Sequence, residues 1–258
     1  MQRIGNTEHL YGIHAVREAL MAGRRRIHQI YISEKRTSQR ILKLIAFAES
    51  KRIPVRYVSS ETIRSTLKAD KHQGIGAEVS LCPFVDLNRL LATFKEDAEA
   101  PLLLLLDHIV DPQNMGGLIR TASCVGVNGV IIPKDRSASP TPTVSKASAG
   151  ALEHISITPV TNLVRTIRTL KEKGIWIMGL DKAADNPIFF SDVSGPIALV
   201  VGGEEKGIRS LVRQNCDMLV SIPQTGRIDS LNASVAGAVA MYEIYRQRQL
   251  TKASGTDR

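Results

Sequence analysis

Between residues 222 and 236 the chain carries the stretch IPQTGRIDSLNASVA. Its first half is polar and rich in turn-forming residues, and its second half runs into an Ala-rich helix that carries Ser and Asn. Two earlier stretches have a similar character: NMGGLIR at residues 114 to 120 and VGGEEKG at residues 201 to 207. Each of them follows an apolar run typical of a buried parallel strand. Because ligands bind at the carboxyl ends of parallel strands, we expect the three loops to form one site.

Strand-like and helix-like patterns alternate from residue 102 onward, which favours an α/β fold with a mostly parallel sheet covered on both faces. The predicted strands are Leu102 to Asp107, Gly129 to Ile132, Ile155 to Val160, Gly174 to Leu180, Ile197 to Val201 and Met218 to Ile222. The first predicted helix begins near Gly116. Three more are predicted at Asn162 to Lys173, Gly207 to Asn215 and Leu231 to Gln247.

Residues 1 to 80 form a small α/β unit of their own in this interpretation. Its helices are predicted at Gly12 to Met21 and from Ile41 to Ala48, and its strands at Ile27 to Ile32, Val55 to Val58 and Ile75 to Val79. Residues 81 to 100 contain a Pro, a short helix at Leu87 to Phe94 and an acidic run, which indicates a partly flexible linker. Residues 101 to 250 are then the second domain, and residues 251 to 258 are expected to be a disordered tail.

The net charge of +9 is concentrated at the front of the chain. Residues 1 to 80 hold 15 Lys and Arg against 7 Asp and Glu, whereas the rest holds 19 against 18. This asymmetry favours a polyanionic partner for the front unit, since phosphate neutralisation supplies much of the affinity for nucleic acid. A basic face kept for solubility is the alternative.

Composition excludes several other classes of protein. The most apolar stretch, Leu102 to Leu106, is far shorter than the roughly 20 residues of a membrane-spanning helix. No secretory signal pattern is present, so we expect a cytoplasmic protein. The 3 Cys residues include no Cys-x-x-Cys pair, which argues against a disulfide framework and a zinc site and predicts buried thiols. No metal is expected.

The three loops, in this order and each after a strand, resemble the motifs of the SpoU/TrmH family of RNA ribose 2′-O-methyltransferases. The resemblance covers the C-terminal two-thirds of the chain. In the front unit, YGIHAV at residues 11 to 16 and HQG at residues 72 to 74 resemble the N-terminal substrate-binding domain of many members. The resemblance implies S-adenosylmethionine as cofactor, RNA as partner, a homodimer, and a C-terminal trefoil knot in the methyltransferase domain. The Ala-rich helix from Ala233 to Ala240 offers a small-residue face for dimer packing.

The resemblance also implies roles for individual residues. Backbone groups at Gly202, Ile222 and Leu231 are expected to hold the cofactor. The expected catalytic residues are Asn114, Arg120, Glu204, Ser230 and Asn232. Two positions depart from the family pattern: Glu205 stands where a small residue is common and is a second candidate for the role of Glu204, and Gly117 stands where alanine is common.

The residue types suit these roles on physical grounds. Glycine at Gly202 and Gly203 allows close approach of a ligand, although a tight turn alone would also explain both. Arg120 is often proposed as the general base in the family, but a guanidinium is very hard to deprotonate, so orientation of a phosphate or stabilisation of charge is easier. Glu204 could orient Arg120 or Asn114 through a charge-assisted hydrogen bond.

Several alternatives stay open at this point. Helix capping alone would explain Ser230 or Asn232. The spacing of Gly202 and Gly207 also matches a phosphate-binding P-loop, but Ile208 stands where the lysine is required, which excludes that site. A nucleotide-cofactor oxidoreductase would need a Gly-x-Gly-x-x-Gly turn, which the chain lacks.

The cluster of Arg24, Arg25 and Arg26 follows the first helix and is expected to reach RNA phosphates, with an ordinary solvated turn as the alternative. We expect the chain to methylate a ribose 2′-hydroxyl in structured RNA, most simply a guanosine of 23S ribosomal RNA. Transfer RNA is the alternative substrate. A catalytically inactive ribosome assembly factor is the alternative from another functional class.

Overall fold

The computed structural model describes residues 7–34, 38–94, 99–227 and 230–255. The strands are β1 (Thr7–Tyr11), β2 (Ile27–Ser33), β3 (Val55–Val58), β4 (Ile75–Ser80), β5 (Leu102–Asp107), β6 (Gly129–Pro133), β7 (Ile157–Val160), β8 (Trp176–Leu180), β9 (Ile197–Gly202) and β10 (Met218–Val220). The helices are α1 (Ile13–Ala22), α2 (Gln39–Ser50), α3 (Ser60–Leu67), α4 (Leu87–Leu91), α5 (Pro112–Cys124), α6 (Pro142–Ala147), α7 (Leu163–Glu172), α8 (Ser210–Gln214) and α9 (Ala233–Gly255).

The chain divides into two compact units. The first unit comprises Met1–Pro83 together with Pro140–His154, and the second comprises Phe84–Ser139 together with Ile155–Arg258. The first unit therefore differs from the expected domain of residues 1 to 80, because a later segment of the chain completes it.

The first unit contains a four-stranded sheet in the order β1-β4-β2-β3. Only the β2–β3 pair is parallel, and the other two pairs are antiparallel. Apolar side chains of α1 and α2 pack on one face of the sheet, around the fully buried Ile30 and Ile32. On the other face α3 contributes Ile63 and Leu67 to a smaller cluster. The sheet is thus covered on both faces, and β3 lies at its edge.

A buried ion-pair network joins the two segments of the first unit. Arg25 follows α1, and its guanidinium is buried between the carboxylates of Glu8 and Glu153. Glu153 also accepts a hydrogen bond from Ser145 Oγ at 2.7 Å. Nearby, His154 Nε2 lies 2.9 Å from a carboxylate oxygen of Glu18. These contacts hold the 140–154 segment against the front of the chain.

The second unit contains a six-stranded sheet in the order β10-β8-β9-β5-β6-β7. All of its paired strands run parallel, as the alternation of strands and helices predicts. Every residue of β5 is buried, since it lies in the middle of the sheet with neighbours on both sides. The strand ends of β10, β8, β9 and β5 therefore lie next to one another.

Some elements differ from the sequence-based expectation. Strand β1 and helices α3 and α6 were not predicted, because each is only 5 to 8 residues long. Helix α5 begins at Pro112 rather than near Gly116, since Asp111 caps it by accepting hydrogen bonds from the amides of Gln113 and Asn114. Cys124 is exposed, in contrast to the expected buried thiols, whereas Cys82 is buried.

The expected linker and tail are also more ordered than predicted. Within residues 81 to 100, Leu90 of α4 is fully buried and packs into the core of the second unit. Residues 95–98 of the linker lie outside the described residues. Residues 251 to 255 continue α9 and are not a disordered tail, and residues 256–258 lie outside the described residues.

The small residues of α9 serve packing within the chain. Ala233 and Ala240 are buried, and a Cβ at Gly237 would lie 2.3 Å from a methyl group of Leu118 on α5. The exposed face of α9 is aromatic instead, with Tyr242 and Tyr245 in edge-to-face contact. Within the described ranges, no helix combines the length and the apolar character that crossing a membrane requires.

Candidate active site

A pocket of about 420 Å³ lies at the carboxyl ends of neighbouring strands of the second unit. The residues that line it follow β8, β9 and β10, together with the start of α9. Of the predicted site residues, Gly202, Glu204, Ile222, Ser230 and Leu231 line this pocket. The two loops predicted to hold a cofactor therefore meet in one cavity. Ile228 and Asp229, within the stretch from residue 222 to 236, lie outside the described residues.

The loop after β9 closes tightly on itself and requires glycine at two positions. A Cβ at Gly202 would lie 2.1 Å from the carbonyl carbon of Gly207, and one at Gly203 would lie 2.5 Å from the carbonyl oxygen of His108. The amide of Gly207 also donates to the carbonyl of Gly203 at 2.8 Å. Larger residues at either glycine would push the loop out of this conformation.

Asp107, at the end of β5, holds this loop in place through hydrogen bonds. Its carboxylate is fully buried and accepts two hydrogen bonds from Arg209, from the backbone amide at 2.8 Å and from Nε at 2.7 Å. Its carbonyl accepts a hydrogen bond from the amide of Gly203 at 2.9 Å. Both ends of the 203–209 loop are thus held by one residue. Sequence reasoning missed this contact, because 102 residues separate its partners and neither belongs to a recognisable motif.

Three predicted catalytic residues, one from each loop, meet in a hydrogen-bonded cluster. The amide nitrogen of Asn114 donates to Glu204 Oε1. The amide nitrogen of Asn232 donates both to Asn114 Oδ1 at 2.9 Å and to Glu204 Oε1 at 2.8 Å. Glu204 thus orients Asn114, one of the two partners that the sequence predicts for it. We call Asn114, Glu204 and Asn232 the amide–carboxylate cluster.

Asn232 also caps helix α9. Its side-chain oxygen accepts hydrogen bonds from the Ser234 amide at 2.9 Å, from Ser234 Oγ at 2.6 Å and from the Val235 amide at 3.3 Å. The contacts of the side-chain oxygen therefore serve to cap the helix, whereas those of the side-chain nitrogen belong to the amide–carboxylate cluster. Close by, a Cβ at Gly117 would lie 3.0 Å from the Ser234 side chain, so only a small residue fits there.

Arg120 does not join the cluster within one chain. It lies six residues beyond Asn114, which is about 9 Å along α5 and about 240° around its axis. Asn114 is buried, whereas Arg120 is exposed and has no hydrogen bond or ion pair to any residue that the structure describes. Arg120 is therefore not part of this cluster, and its catalytic role stays a prediction.

Other charged residues complete the pocket wall. Arg213 Nε pairs with Asp181 Oδ2 at 2.7 Å, and both residues line the pocket with Lys182 and Gln224. Glu205 lines the pocket as well, but it has no contact with the cluster among the described residues. Asp181 and Arg213 were not predicted from the sequence. The only indication was their place in the chain, since Asp181 directly follows β8 and Arg213 lies in α8.

The three arginines after α1 have different environments. Arg25 is buried and paired with two carboxylates, so it is not available to RNA; the expectation of a phosphate contact there is wrong because the segment around Glu153 covers it. Arg24 is half-buried and donates to the backbone carbonyl of Glu153 at 3.4 Å. Arg26 is exposed. Among the described residues, no group of three or more His, Cys, Asp or Glu is placed to hold a metal ion.

Two family models match this chain. The SpoU rRNA Methylase family model matches residues 101–242, and the model of the RNA 2′-O ribose methyltransferase substrate-binding domain matches residues 9–83. Together they span both units of the structure.

Curated proteins and solved structures are similar over nearly the full chain. The 23S rRNA (guanosine-2′-O-)-methyltransferase RlmB of Pseudomonas putida is 39% identical over 95% of this chain and 98% of its own length. The RlmB of Pectobacterium atrosepticum is 41% identical over 94% of this chain and 99% of its own. The structure of the SpoU methyltransferase AviRb from Streptomyces viridochromogenes is 25% identical, covers 95% of this chain and 91% of its own, and has a TM-score of 0.79. That enzyme has also been solved in complex with AdoMet.

Proposed function

Because the chain belongs to the SpoU rRNA methylase family, we propose that it methylates the ribose 2′-hydroxyl of a guanosine in 23S ribosomal RNA. It is an RNA 2′-O-ribose methyltransferase that uses S-adenosylmethionine. The relatives from Pseudomonas putida and Pectobacterium atrosepticum are named for that guanosine reaction, which supports the choice of substrate. The observation that carries the proposal is the amide–carboxylate cluster, in which all three motifs converge beside the pocket.

The volume and the lining of the pocket support a cofactor site. Its volume of about 420 Å³ lies within the range of small-molecule sites, about 300–1,000 Å³. Gly202 lines the pocket with its backbone, and Ile222 and Leu231 supply apolar surface. These three residues would hold S-adenosylmethionine. When bound, it supplies an activated methyl group on a cationic sulfur, so the protein mainly has to align the acceptor.

The amide–carboxylate cluster serves as a rigid support for the RNA ribose. Glu204 Oε1 accepts hydrogen bonds from both asparagines, which fixes the orientation of both amides. Ser230 lines the pocket, where its hydroxyl can contact the RNA or the cofactor. Preorganised dipoles of this kind lower a barrier because they need no reorganisation during reaction.

Arg120 acts from the other subunit of a homodimer in our proposal. Its guanidinium is exposed and unpaired among the described residues, and it lies on a different side of α5 from Asn114. A bidentate contact to the phosphate beside the target ribose uses the planar fork of the side chain. Methyl transfer also requires removal of the hydroxyl proton. A group with a lower pKa than a guanidinium accepts that proton more easily.

An exposed apolar face supports the homodimer. Its members lie after β8 and on α9: Phe189, Val239, Tyr242, Tyr245 and Leu250. Tyr242 is 52% exposed and Leu250 is 57% exposed, which is costly for large side chains facing water. We expect light scattering at micromolar concentration to give twice the mass of 28.2 kDa. A monomeric mass would contradict both the dimer and the role of Arg120 across it.

The trefoil knot and the cytoplasmic location complete the proposal. A TM-score of 0.79 to a SpoU methyltransferase supports a knotted C-terminal region around β9, β10 and α9. Ribosomal RNA as substrate supports a location in the cytoplasm. Family membership supports both.

Mapping of 2′-O-methylated nucleosides tests the function. We expect 23S ribosomal RNA from cells that lack the protein to lose one 2′-O-methylguanosine, which purified protein with S-adenosylmethionine then restores. Loss of a methyl group from transfer RNA would favour the alternative substrate. Unchanged methylation in both RNAs, with normal cofactor-free RNA binding, would favour the assembly-factor alternative.

A further inference from the structure

One part of the first unit carries a dense run of positive charge. Residues 39 to 57 hold 5 Lys and Arg against a single Glu. Residues 60 to 71 are more balanced, with 3 Lys and Arg against 2 acidic residues, and there Arg64 pairs with Asp70 at 3.1 Å. Half of the balance of +8 in residues 1 to 80 thus lies on α2, on β3 and on the turn between them, and residues 1 to 38 hold the other half.

Four exposed side chains follow one another from the end of α2 into β3: Lys51, Arg52, Arg56 and Tyr57. We call them the basic edge strip. Strand β3 is the last strand of its sheet and pairs only with β2 among the described residues. Its outer edge therefore presents unpaired backbone groups beside the cations.

The cations of the basic edge strip are not neutralised by the protein. None of the three forms an ion pair with any residue in the described ranges, and Lys51 instead lies over the ring of Phe47, with its Nζ 5.7 Å from the ring centre. This is the reverse of Arg25, whose charge is buried between two carboxylates. Neutralisation of the strip therefore requires an anion from outside the described residues.

An exposed aromatic side chain accompanies these charges. Tyr57 is 53% exposed, and it follows Arg56 directly in the strand. Because successive side chains of a strand point to opposite faces, the two flank the sheet edge from both sides. Cations for phosphates and an aromatic ring for a base are the two elements of single-stranded nucleic-acid sites.

We propose that the basic edge strip binds a single-stranded segment of the substrate RNA, with Lys51, Arg52 and Arg56 on its phosphates and Tyr57 stacked on a base. This inference rests on the proposed function, which requires an RNA grip outside the methyltransferase site. It replaces the arginine cluster after α1 as the main RNA contact of this unit. An acidic protein segment could pair with the three cations but would leave the exposed ring of Tyr57 without a role. RNA explains both the cations and the ring, so it is the better candidate.

A pair of charge-matched double variants of the full-length protein tests the cations. Lys51→Gln with Arg56→Gln removes two cations of the strip, and Arg17→Gln with Arg64→Gln removes two exposed cations that are already paired with Glu18 and Asp70. With a 23S ribosomal RNA transcript as probe, we expect the strip variant to bind about 10- to 100-fold more weakly. Its slope of log affinity against log salt should fall by about 1.4, since each phosphate of single-stranded RNA that is no longer neutralised accounts for about 0.7. The control variant should keep the wild-type slope.

A second pair of variants tests stacking without a change of charge. Tyr57→Ala should weaken binding by about 5- to 150-fold, the range expected for one stacked base, whereas Tyr57→Phe should bind as the wild type does. Circular dichroism confirms that each variant is folded. Methyl transfer at saturating RNA should be unchanged in all variants, because the strip is separate from the residues assigned to chemistry.

Wild-type RNA affinity in both Lys51→Gln/Arg56→Gln and Tyr57→Ala would overturn the proposal and leave an acidic protein as the partner of the strip. Equal loss in Tyr57→Phe and Tyr57→Ala would overturn the stacking contact. Failure of the proposed function is distinguishable: the wild-type protein would then bind RNA without transferring a methyl group to it.

Discussion

The side chain of Asn232 has two tasks, because its oxygen caps α9 while its nitrogen binds Asn114 and Glu204. Few residue types can do both. Serine and aspartate also cap helices, but neither donates through a side-chain amide. The orientation of the amide is fixed by these contacts, since exchange of its oxygen and nitrogen would place donors against donors.

Substitution of Asn232 should therefore separate stability from activity. Asn232→Ser retains a helix cap, so we expect a free energy of unfolding close to that of the wild type, with methyl transfer reduced at least tenfold. Asn232→Ala loses the cap as well and should cost about 1 kcal/mol of stability. Chemical denaturation and single-turnover methylation measure the two quantities. Full activity in Asn232→Ser would show that the cluster is not part of the catalytic site.

Arg120→Ala should abolish most methyl transfer and leave cofactor affinity nearly intact. Loss of a charge-assisted hydrogen bond made in the transition state is worth roughly 3 to 4 kcal/mol, about a hundred- to a thousand-fold in rate. Calorimetry with S-adenosylmethionine serves as the control. Partial activity in Arg120→Lys would indicate charge stabilisation, whereas near-total loss would indicate that the planar fork is required. A wild-type rate in the Ala variant would remove Arg120 from the site.

The three thiols should differ in their reaction with alkylating reagents. Burial raises the pKa of Cys82 to about 11 and that of Cys216 to about 12, so both thiols stay protonated at pH 8. Because alkylating reagents react with the thiolate, both should react slowly at that pH. Cys124 is exposed and should react first with iodoacetamide. Raising the pH toward 10 should speed the reaction of Cys82, because more of its thiolate then forms. Mass spectrometry of labelled peptides follows the order, and fast labelling of Cys216 at pH 8 would contradict it.

The loop between β9 and α8 depends on one buried carboxylate. Asp107→Asn should weaken cofactor binding and lower the free energy of unfolding by about 2 kcal/mol, because a buried carboxylate loses its charge-assisted bonds to the half-exposed Arg209. Asp181→Asn provides the comparison, since its pair with Arg213 is more exposed. We expect thermal melts and calorimetry to show the larger effect at Asp107. Equal effects of the two changes would argue against the anchoring role.

Most of the sheet in the second unit was predictable from sequence, because its strands are continuous apolar runs such as LLLLLD at residues 102 to 107. The start of α5 was missed, since the pattern of apolar residues gives the face of a helix better than its first residue. The motifs correctly located the amide–carboxylate cluster. The environments of Arg25 and Arg120 were not predictable, because each depends on contacts or helix faces that residue spacing alone does not report.

Removal of residues 1 to 83 should lower RNA affinity and flatten its salt dependence, because the first 80 residues hold a balance of +8. The remaining chain should still bind S-adenosylmethionine at the pocket after β9. It should also melt at a lower temperature than the full chain, since Glu153 loses the buried guanidinium of Arg25. Glu153→Gln in the truncated chain removes that unpaired charge and should recover part of the stability. Unchanged RNA affinity after truncation would show that the front unit serves another purpose.

The discontinuous make-up of the first unit sets an order of events during protein synthesis. Arg25 and Glu153 are 128 residues apart in the chain, so the front segment emerges from the ribosome long before its partner exists. At about 5 to 20 residues per second, that interval is roughly 6 to 25 seconds. During this time the guanidinium of Arg25 and the apolar surface around α1 lack the segment that later covers them. The nascent chain is therefore most vulnerable to proteases and aggregation in this window, and its front unit matures only when translation has passed residue 154.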